Sequence, residues 1–268
     1  MWACPHCQLA LLPIGTGESL ACANRHAFDR AREGYVNLLP ANRKRSLEPG
    51  DNPLMVAARR RVHEADIYRP LADALVTELA GLSGVSSLLD LGCGEAYYCD
   101  ALARALPDCT LCGIDISRAA IRLAARRCRS VDFAVASAYR LPLLDEALDA
   151  IVRVFAPADD AEIVRALKPG RYYLEVSPAP RHLWQVRALL YDKPREHAPP
   201  RMAVPGLRLL GQAGVQYEAS PGPELVWDII SMTPFAYRGR PERREYLQRH
   251  TPAAVTMAFS LHLYCRDA

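Results

Sequence analysis

The sequence predicts an α/β fold, a doubly wound parallel sheet preceded by a small metal-stapled module, and three observations carry that expectation. Cys4, Cys7, Cys22 and His26 have metal-ligand spacing near the N-terminus. A D-x-G-x-G turn at Asp90, Gly92 and Gly94 follows an apolar strand, and strand and helix patterns alternate from residue 85 to residue 177. At 268 residues the chain exceeds a single domain of common size, so one larger core and one smaller unit are expected.

The N-terminal ligands read C-x2-C, then fourteen residues, then C-x3-H. Each short pair lets one turn present two ligands to one ion. Three thiolates and an imidazole suit a tetrahedral Zn2+, and four protein ligands leave no open position for a substrate water, so the site is structural. Gly15 and Gly17 supply a turn between Leu9, Leu11 and Leu12 on one side and Leu20 on the other, a hairpin too small to bury a core unaided. Zinc supplies the missing stability. His6 lies between the first two cysteines and is read as pointing away from the ion. Four unrelated residues would not be expected to fall into two such pairs.

The polar run from Asn42 to Asp51 follows, with Arg43, Lys44 and Arg45, and reads as an exposed loop. Residues 53 to 81 repeat apolar positions at helical spacing, enough for two helices, with Arg59, Arg60 and Arg61 expected as one exposed basic turn. Residues 1–70 hold ten Arg and Lys against seven Asp and Glu, which accounts for the whole net charge of +3. A basic excess at one end suits contact with a polyanion or simply a solvated face, and Arg43, Lys44, Arg45, Arg59, Arg60 and Arg61 are the candidate phosphate-contacting residues, which the resemblance drawn below would make RNA-binding.

The central pattern runs in order. Strand Val85–Leu91 meets the turn Gly92-Cys-Gly94-Glu95-Ala96, then helix Tyr97–Leu106, strand Thr110–Asp115, an N-cap at Ser117 and helix Arg118–Arg127. Strands Val131–Val135 and Leu148–Val154, helix Asp159–Leu167, a turn at Lys168-Pro169-Gly170 and strand Tyr172–Ser177 complete it. Cys93, Cys112 and Cys128 are expected to pack in the core. In such sheets ligands lie beyond the carboxyl ends of the strands, where Asp90, Gly92, Gly94, Glu95, Asp115, the Ser137 loop and the Arg153–Pro157 turn would ring one cleft. The glycines allow close approach of a ligand, and the carboxylate ending the second strand can accept from two ribose hydroxyls. Tyr97 stands where a dinucleotide fingerprint needs its third glycine, which argues against NAD, while Asp90 two residues before the G-x-G and Asp115 about twenty positions later form the arrangement of S-adenosylmethionine enzymes. Phe155-Ala-Pro lacks the motif of exocyclic-amine methylation, and no Pro-Cys nucleophile serves cytosine C5 chemistry. A ring nitrogen or an oxygen remains as acceptor.

Taken together these residues resemble the bacterial 23S ribosomal RNA guanine-N1 methyltransferases of the RlmA type, including the tylosin-resistance enzymes. The resemblance spans nearly the whole chain. It rests on the Cys4, Cys7, Cys22, His26 cluster, Arg32-Glu-Gly-Tyr-Val-Asn-Leu-Leu-Pro40, Lys44-Arg-Ser, Pro49-Gly-Asp51, Leu89-Asp-Leu-Gly-Cys-Gly-Glu95, Pro180-Arg-His182-Leu and Met232-Thr-Pro-Phe235. It implies a zinc-ribbon-like domain over 1–40, a basic loop and linking helices over 41–84, and a Rossmann-like S-adenosylmethionine methyltransferase domain over 85–268. It also implies methyl transfer to N1 of one guanine in a domain II hairpin of 23S ribosomal RNA, and action as a homodimer.

Cofactor contacts carry over to Tyr68, Gly94, Glu95 and His182, which with Asp90, Gly92, Ala96 and Asp115 form the expected cofactor-binding set. Ala96 replaces a glycine of the family, which fits if residue 96 has helical dihedrals, and Arg171 replaces the second glycine after Pro169. Guanine N1 carries a proton that must leave, and Glu95, Glu175 and His182 are the candidate acceptors. No apolar run suits a membrane span and the N-terminal residues do not read as an export signal, so a cytoplasmic location is expected. Two other classes stand beside this reading. A small-molecule methyltransferase is opposed by the zinc module beside a basic loop, and a nonenzymatic RNA-binding zinc protein by the intact D-x-G-x-G with Asp115.

Overall fold

The computed structural model describes residues 1–40, 53–199, 201–233 and 240–267. Arg43, Lys44 and Arg45 lie outside the described residues, as do Pro234 and Phe235. The chain opens with three short antiparallel strands, β1 (Leu12–Ile14), β2 (Ser19–Ala21) and β3 (Ala27–Asp29). The expected hairpin is present, with Gly15 and Gly17 at positive φ in its turn, and β3 extends it to a three-stranded sheet.

The next strand, β4 (Val36–Asn37), leaves that sheet and pairs in parallel with β7 (Asp132–Val135) at the edge of the large sheet. The large sheet is built on β5 (Ser87–Leu91), β6 (Thr110–Asp115), β7, β8 (Leu148–Val154) and β9 (Leu167–Pro178), all parallel. Helices α3 (Tyr97–Ala105), α4 (Arg118–Arg127) and α5 (Asp160–Ala166) lie between consecutive strands in the sequence, and Ser117 caps α4 by accepting the Ala120 N–H. The turn expected at 168–170 is absorbed into β9, which begins at Leu167 opposite an irregular register at Leu148.

A long antiparallel pair, β10 (Leu207–Ala219) and β11 (Val255–Arg266), completes the sheet beside β9. Among the described residues the order is β10-β11-β9-β8-β5-β6-β7-β4. From β5 the chain moves through β6 and β7 on one side and through β8 and β9 on the other. The carboxyl end of β5 is therefore the switch point where a ligand crevice is expected.

Both faces are covered, as a parallel sheet requires. On one face α1 (Pro53–Glu64), α2 (Arg69–Ala80), α3, α4, α6 (Trp184–Leu190) and α7 (Pro223–Ser231) pack against residues such as Leu88, Val152, Leu174 and Val176. On the other, Trp2, Cys4, Leu11, Leu20 and Cys22 share one core with Leu89, Leu91, Ile114 and Ile151. Trp2 Nε1 donates to Asp132 at 2.6 Å, and Arg30 pairs with the same carboxylate at 2.7 Å. The N-terminal module and the sheet are thus one packed body, joined by apolar burial rather than by a tether. Among the described residues no helix is long and apolar enough to cross a membrane.

Candidate functional site

The four N-terminal ligand residues converge. His26 Nδ1 lies 3.4, 3.6 and 3.4 Å from the Sγ atoms of Cys4, Cys7 and Cys22, and the Cys7 and Cys22 sulfurs are 3.6 Å apart. All four ligand atoms fall within 4.8 Å of one another. A tetrahedral Zn2+, with Zn–S of about 2.3 Å and Zn–N of about 2.0 Å, sets neighbouring ligand atoms roughly 3.5–3.8 Å apart, so the cage fits zinc. Gln8 and Arg25 take left-handed φ values of 60° and 62° beside the two ligand pairs, bending the chain around the site. His6 is exposed and stacks on Phe28 with ring centroids 6.0 Å apart, outside the cage.

At the carboxyl end of β5 the turn Gly92–Ala96 is forced by packing. A side chain at Gly92 would place its Cβ 2.3 Å from that of Ala156, and Gly92 and Gly94 have φ of +80° and +55°. Asp115, ending β6, accepts the Gly94 N–H at 3.0 Å on one oxygen and the Ser117 N–H at 2.7 Å on the other. A carboxylate at the end of this strand is the acceptor type that a ribose hydroxyl needs. Asp90 stands behind the loop, 2% exposed, and accepts from the Cys99 thiol at 3.2 Å. Burial, opposed by that thiol, pushes its carboxyl up to about 7. Cys93, Cys112 and Cys128 are buried as expected.

Ala96 does not have the helical dihedrals expected of it. Its φ of 67° and ψ of 34° are left-handed, because it closes the turn just before α3 rather than starting the helix. An alanine here retains the glycine conformation without the glycine.

Glu95 turns inward. Its Oε1 lies 3.1 Å from His63 Nδ1 and 3.2 Å from an Arg127 nitrogen, and the His63 ring stacks on Tyr97 with centroids 4.2 Å apart. Burial lowers the His63 pKa despite Glu95 beside it. Tyr68, buried, sits edge-on to His63 with centroids 5.6 Å apart and 5.6 Å from Phe259, and burial raises its phenol.

Arg59, Arg60 and Arg61 fall within one turn of α1, with Arg60 and Arg61 exposed as expected, but they do not share a face. Arg60 reaches one turn forward to Glu64 at 2.7 Å on α1, and Arg61 forks onto Asp228 of α7 through bonds of 2.7 and 2.6 Å. Arg59, half-buried, extends over the glycine turn, where its Nη1 would lie 3.9 Å from a Cβ on Gly94. Consecutive helical residues are about 100° apart, so three of them cannot share a face. Arg59 and His63 share one instead, four residues apart. That spacing could have placed both on the site.

Glu175 and His182 lie on opposite faces of the sheet. Glu175 alternates with Leu174 and Val176, which face the helices, and is bonded by Arg153 on the face of Tyr173. His182 is buried, and its Nδ1 accepts the Ala258 N–H at 3.2 Å, which leaves the ring proton on Nε2. Burial, His197 and Arg187 bring its pKa down to about 3, so the ring is neutral and donates. Each of the three candidates is already engaged at one atom: Glu95 Oε1 by His63 and Arg127, Glu175 Oε1 by Arg153, and His182 Nδ1 by the Ala258 N–H. Sequence reasoning placed Phe155 at the cleft only as part of the Arg153–Pro157 turn and missed His63, Arg127 and Phe259, whose place at the site depends on tertiary contacts.

The sequence matches the zinc-ribbon family described as RlmA, N-terminal over residues 2–47 and a methyltransferase domain over residues 88–170. A Streptomyces fradiae protein named 23S rRNA (guanine(748)-N(1))-methyltransferase is 32% identical over 247 residues, covering 89% of this chain and 86% of that one. The Bacillus subtilis (strain 168) protein YxjB, named provisionally for the same guanine-N1 activity, is 30% identical over 271 residues, covering 96% and 94%. A Bacillus halodurans structure described provisionally as a methyltransferase superposes with a TM-score of 0.50 at 16% identity, covering 73% of this chain and 98% of that one, a likeness of fold alone.

Proposed function

Because the chain belongs to the 23S rRNA (guanine-N1)-methyltransferase family, we propose that it methylates N1 of one guanine in a domain II hairpin of 23S rRNA, with S-adenosylmethionine as donor. The observation that carries this reading is the union, in one packed body, of a zinc cage with a glycine-turn cleft at the sheet's switch point. The cofactor supplies an electrophilic methyl group, and the acceptor nitrogen must shed its proton as that methyl arrives.

The chain's own groups divide the work. Asp115 receives the ribose, Gly92 and Gly94 let the backbone approach, and Asp90 supports the turn from behind. We assign Arg59 to the cofactor's carboxylate, because a guanidinium over the glycine turn can bind a carboxylate in a two-pronged fashion. His182 offers an Nε2 donor. With Glu95 held by His63 and Arg127 and Glu175 held by Arg153, we assign the departing N1 proton to water. Positioning of the base against the methyl then supplies the rate.

We further propose action as a homodimer in the cytoplasm, with the zinc module and the 41–52 segment reading the RNA backbone through Arg43, Lys44 and Arg45. Nucleoside analysis of 23S rRNA treated with the chain and cofactor tests the reading. The expected product is 1-methylguanosine, and any other methylated nucleoside in its place would refute it.

A further inference from the structure

Phe155 follows the last residue of β8 at the rim of the cleft. Its backbone φ is 57°, in the left-handed region that a bulky side chain adopts only under constraint. Its N–H donates to the Val176 carbonyl at 3.2 Å, and the next residue, Ala156, is the one that a side chain at Gly92 would strike. The kink therefore abuts the cofactor turn. It brings the ring to Phe259 and His182, with centroids 5.6 and 6.4 Å apart, on the helix-covered face that carries Tyr68. Yet Phe155 is 41% exposed at the edge of an otherwise buried aromatic group.

Neither burial nor backbone preference accounts for a phenylalanine here. Glycine or asparagine would take the dihedral more easily, and a polar residue would suit the exposure. Strained residues of this kind cluster where a structure holds a side chain ready for a ligand. Ala96 and Leu183, also left-handed at φ 67° and 53°, flank the same cleft.

We propose that Phe155 is the platform on which the target guanine stacks after leaving its own helix. The inference rests on the guanine-N1 reading above. A base presented to a methyl donor must come out of its stack, and an aromatic face fixes the plane of the ring without fixing its hydrogen bonds. The strained turn ties that face to the cofactor loop through Ala156, so the guanine plane and the methyl donor are set by the same few residues. Phe155 is a substrate-positioning residue and transfers no proton.

The test uses Phe155→Leu, which keeps an apolar side chain and the same backbone demand but removes the aromatic face, beside Phe155→Tyr and Phe155→Trp. Methyl transfer to 23S rRNA and affinity for S-adenosylhomocysteine by calorimetry are measured for each. Phe155→Leu is expected to lose about tenfold to a hundredfold in kcat/KM for RNA, the range that base stacking carries. Its S-adenosylhomocysteine affinity stays within twofold of the native chain, and the Tyr and Trp variants retain activity. Native-like activity in the Leu variant, or a matching loss of S-adenosylhomocysteine affinity, overturns the proposal while the guanine-N1 reading stands. A native chain that binds S-adenosylhomocysteine but makes no 1-methylguanosine overturns that reading, and the proposal with it.

Discussion

His63 Nδ1 lies 3.1 Å from Glu95 Oε1, both side chains almost wholly buried, and this contact ties the first linking helix to the cofactor turn. Arg127 reaches the same oxygen from α4 at 3.2 Å. Glu95→Gln keeps the shape and removes the charge. It is expected to weaken S-adenosylhomocysteine binding by about tenfold, the worth of one charge-assisted bond, while RNA affinity is unchanged. Calorimetry and a filter-binding titration of the same variant check both halves.

Arg59→Ala should weaken S-adenosylhomocysteine binding by roughly tenfold or more, whereas Arg60→Ala should leave it unchanged. Affinity for methylthioadenosine, which lacks the carboxylate, should be the same in Arg59→Ala and the native chain. If the loss appears with both ligands, Arg59 does not read the carboxylate. Asp115→Ala should weaken both ligands alike, since both carry the ribose.

Ala96 at φ 67° makes a gain of stability accessible. Ala96→Gly relieves a left-handed alanine at a cost of extra freedom in the unfolded chain, for a net gain of about 0.5–1 kcal/mol. Thermal unfolding should show a higher Tm, and a lower one would mean that the buried Ala96 methyl contributes more than its backbone costs.

Asp90 and His182 give pH dependences of opposite sign. Burial raises the Asp90 carboxyl to about 7, above its ordinary value, so its contribution is present at low pH and is lost as pH rises through about 7. Asp90→Asn should therefore stabilise the chain at pH 8, by on the order of 1–2 kcal/mol, and not at pH 4. Burial lowers His182 to about 3, so its contribution is present above its ordinary value of 6.5 and is lost as pH falls towards 3. His182→Gln should flatten the fall in stability between pH 6.5 and pH 5. Denaturant titrations at these pH values measure both.

Removal of zinc should unfold more than the N-terminal sheet. Cys4 and Cys22 are buried in the core that holds Leu89 and Ile114, so Cys22→Ser is expected to lower the Tm of the whole chain and to abolish zinc binding. Two separate transitions, with the sheet domain melting as in the native chain, would contradict this.

The parts of this fold that were legible are local. The zinc ligands fall within 23 residues of chain, and the D-x-G-x-G turn and the Asp115 strand end are set by adjacent strand and helix patterns. What escaped depends on distant partners. The two residues of β4 join the large sheet only because Trp2 and Arg30 bring the module onto Asp132. β10 reads poorly because Gly211 and Gly214 interrupt its alternation and a register shift falls between Leu209 and Gly211. Arg59 to Arg61 look like one basic run in sequence and divide three ways on a helix. The proton-acceptor candidates were plausible by residue type, and only the structure reveals that His63, Arg153 and Ala258 already bond one atom of each.

The central claim is tested most directly by primer extension on 23S rRNA incubated with the chain, with and without S-adenosylmethionine. N1 methylation blocks pairing, so the account predicts a cofactor-dependent stop at a single guanine of a domain II hairpin. Full-length extension through that hairpin, with methyl transferred instead to a small molecule in the same reaction, would contradict it.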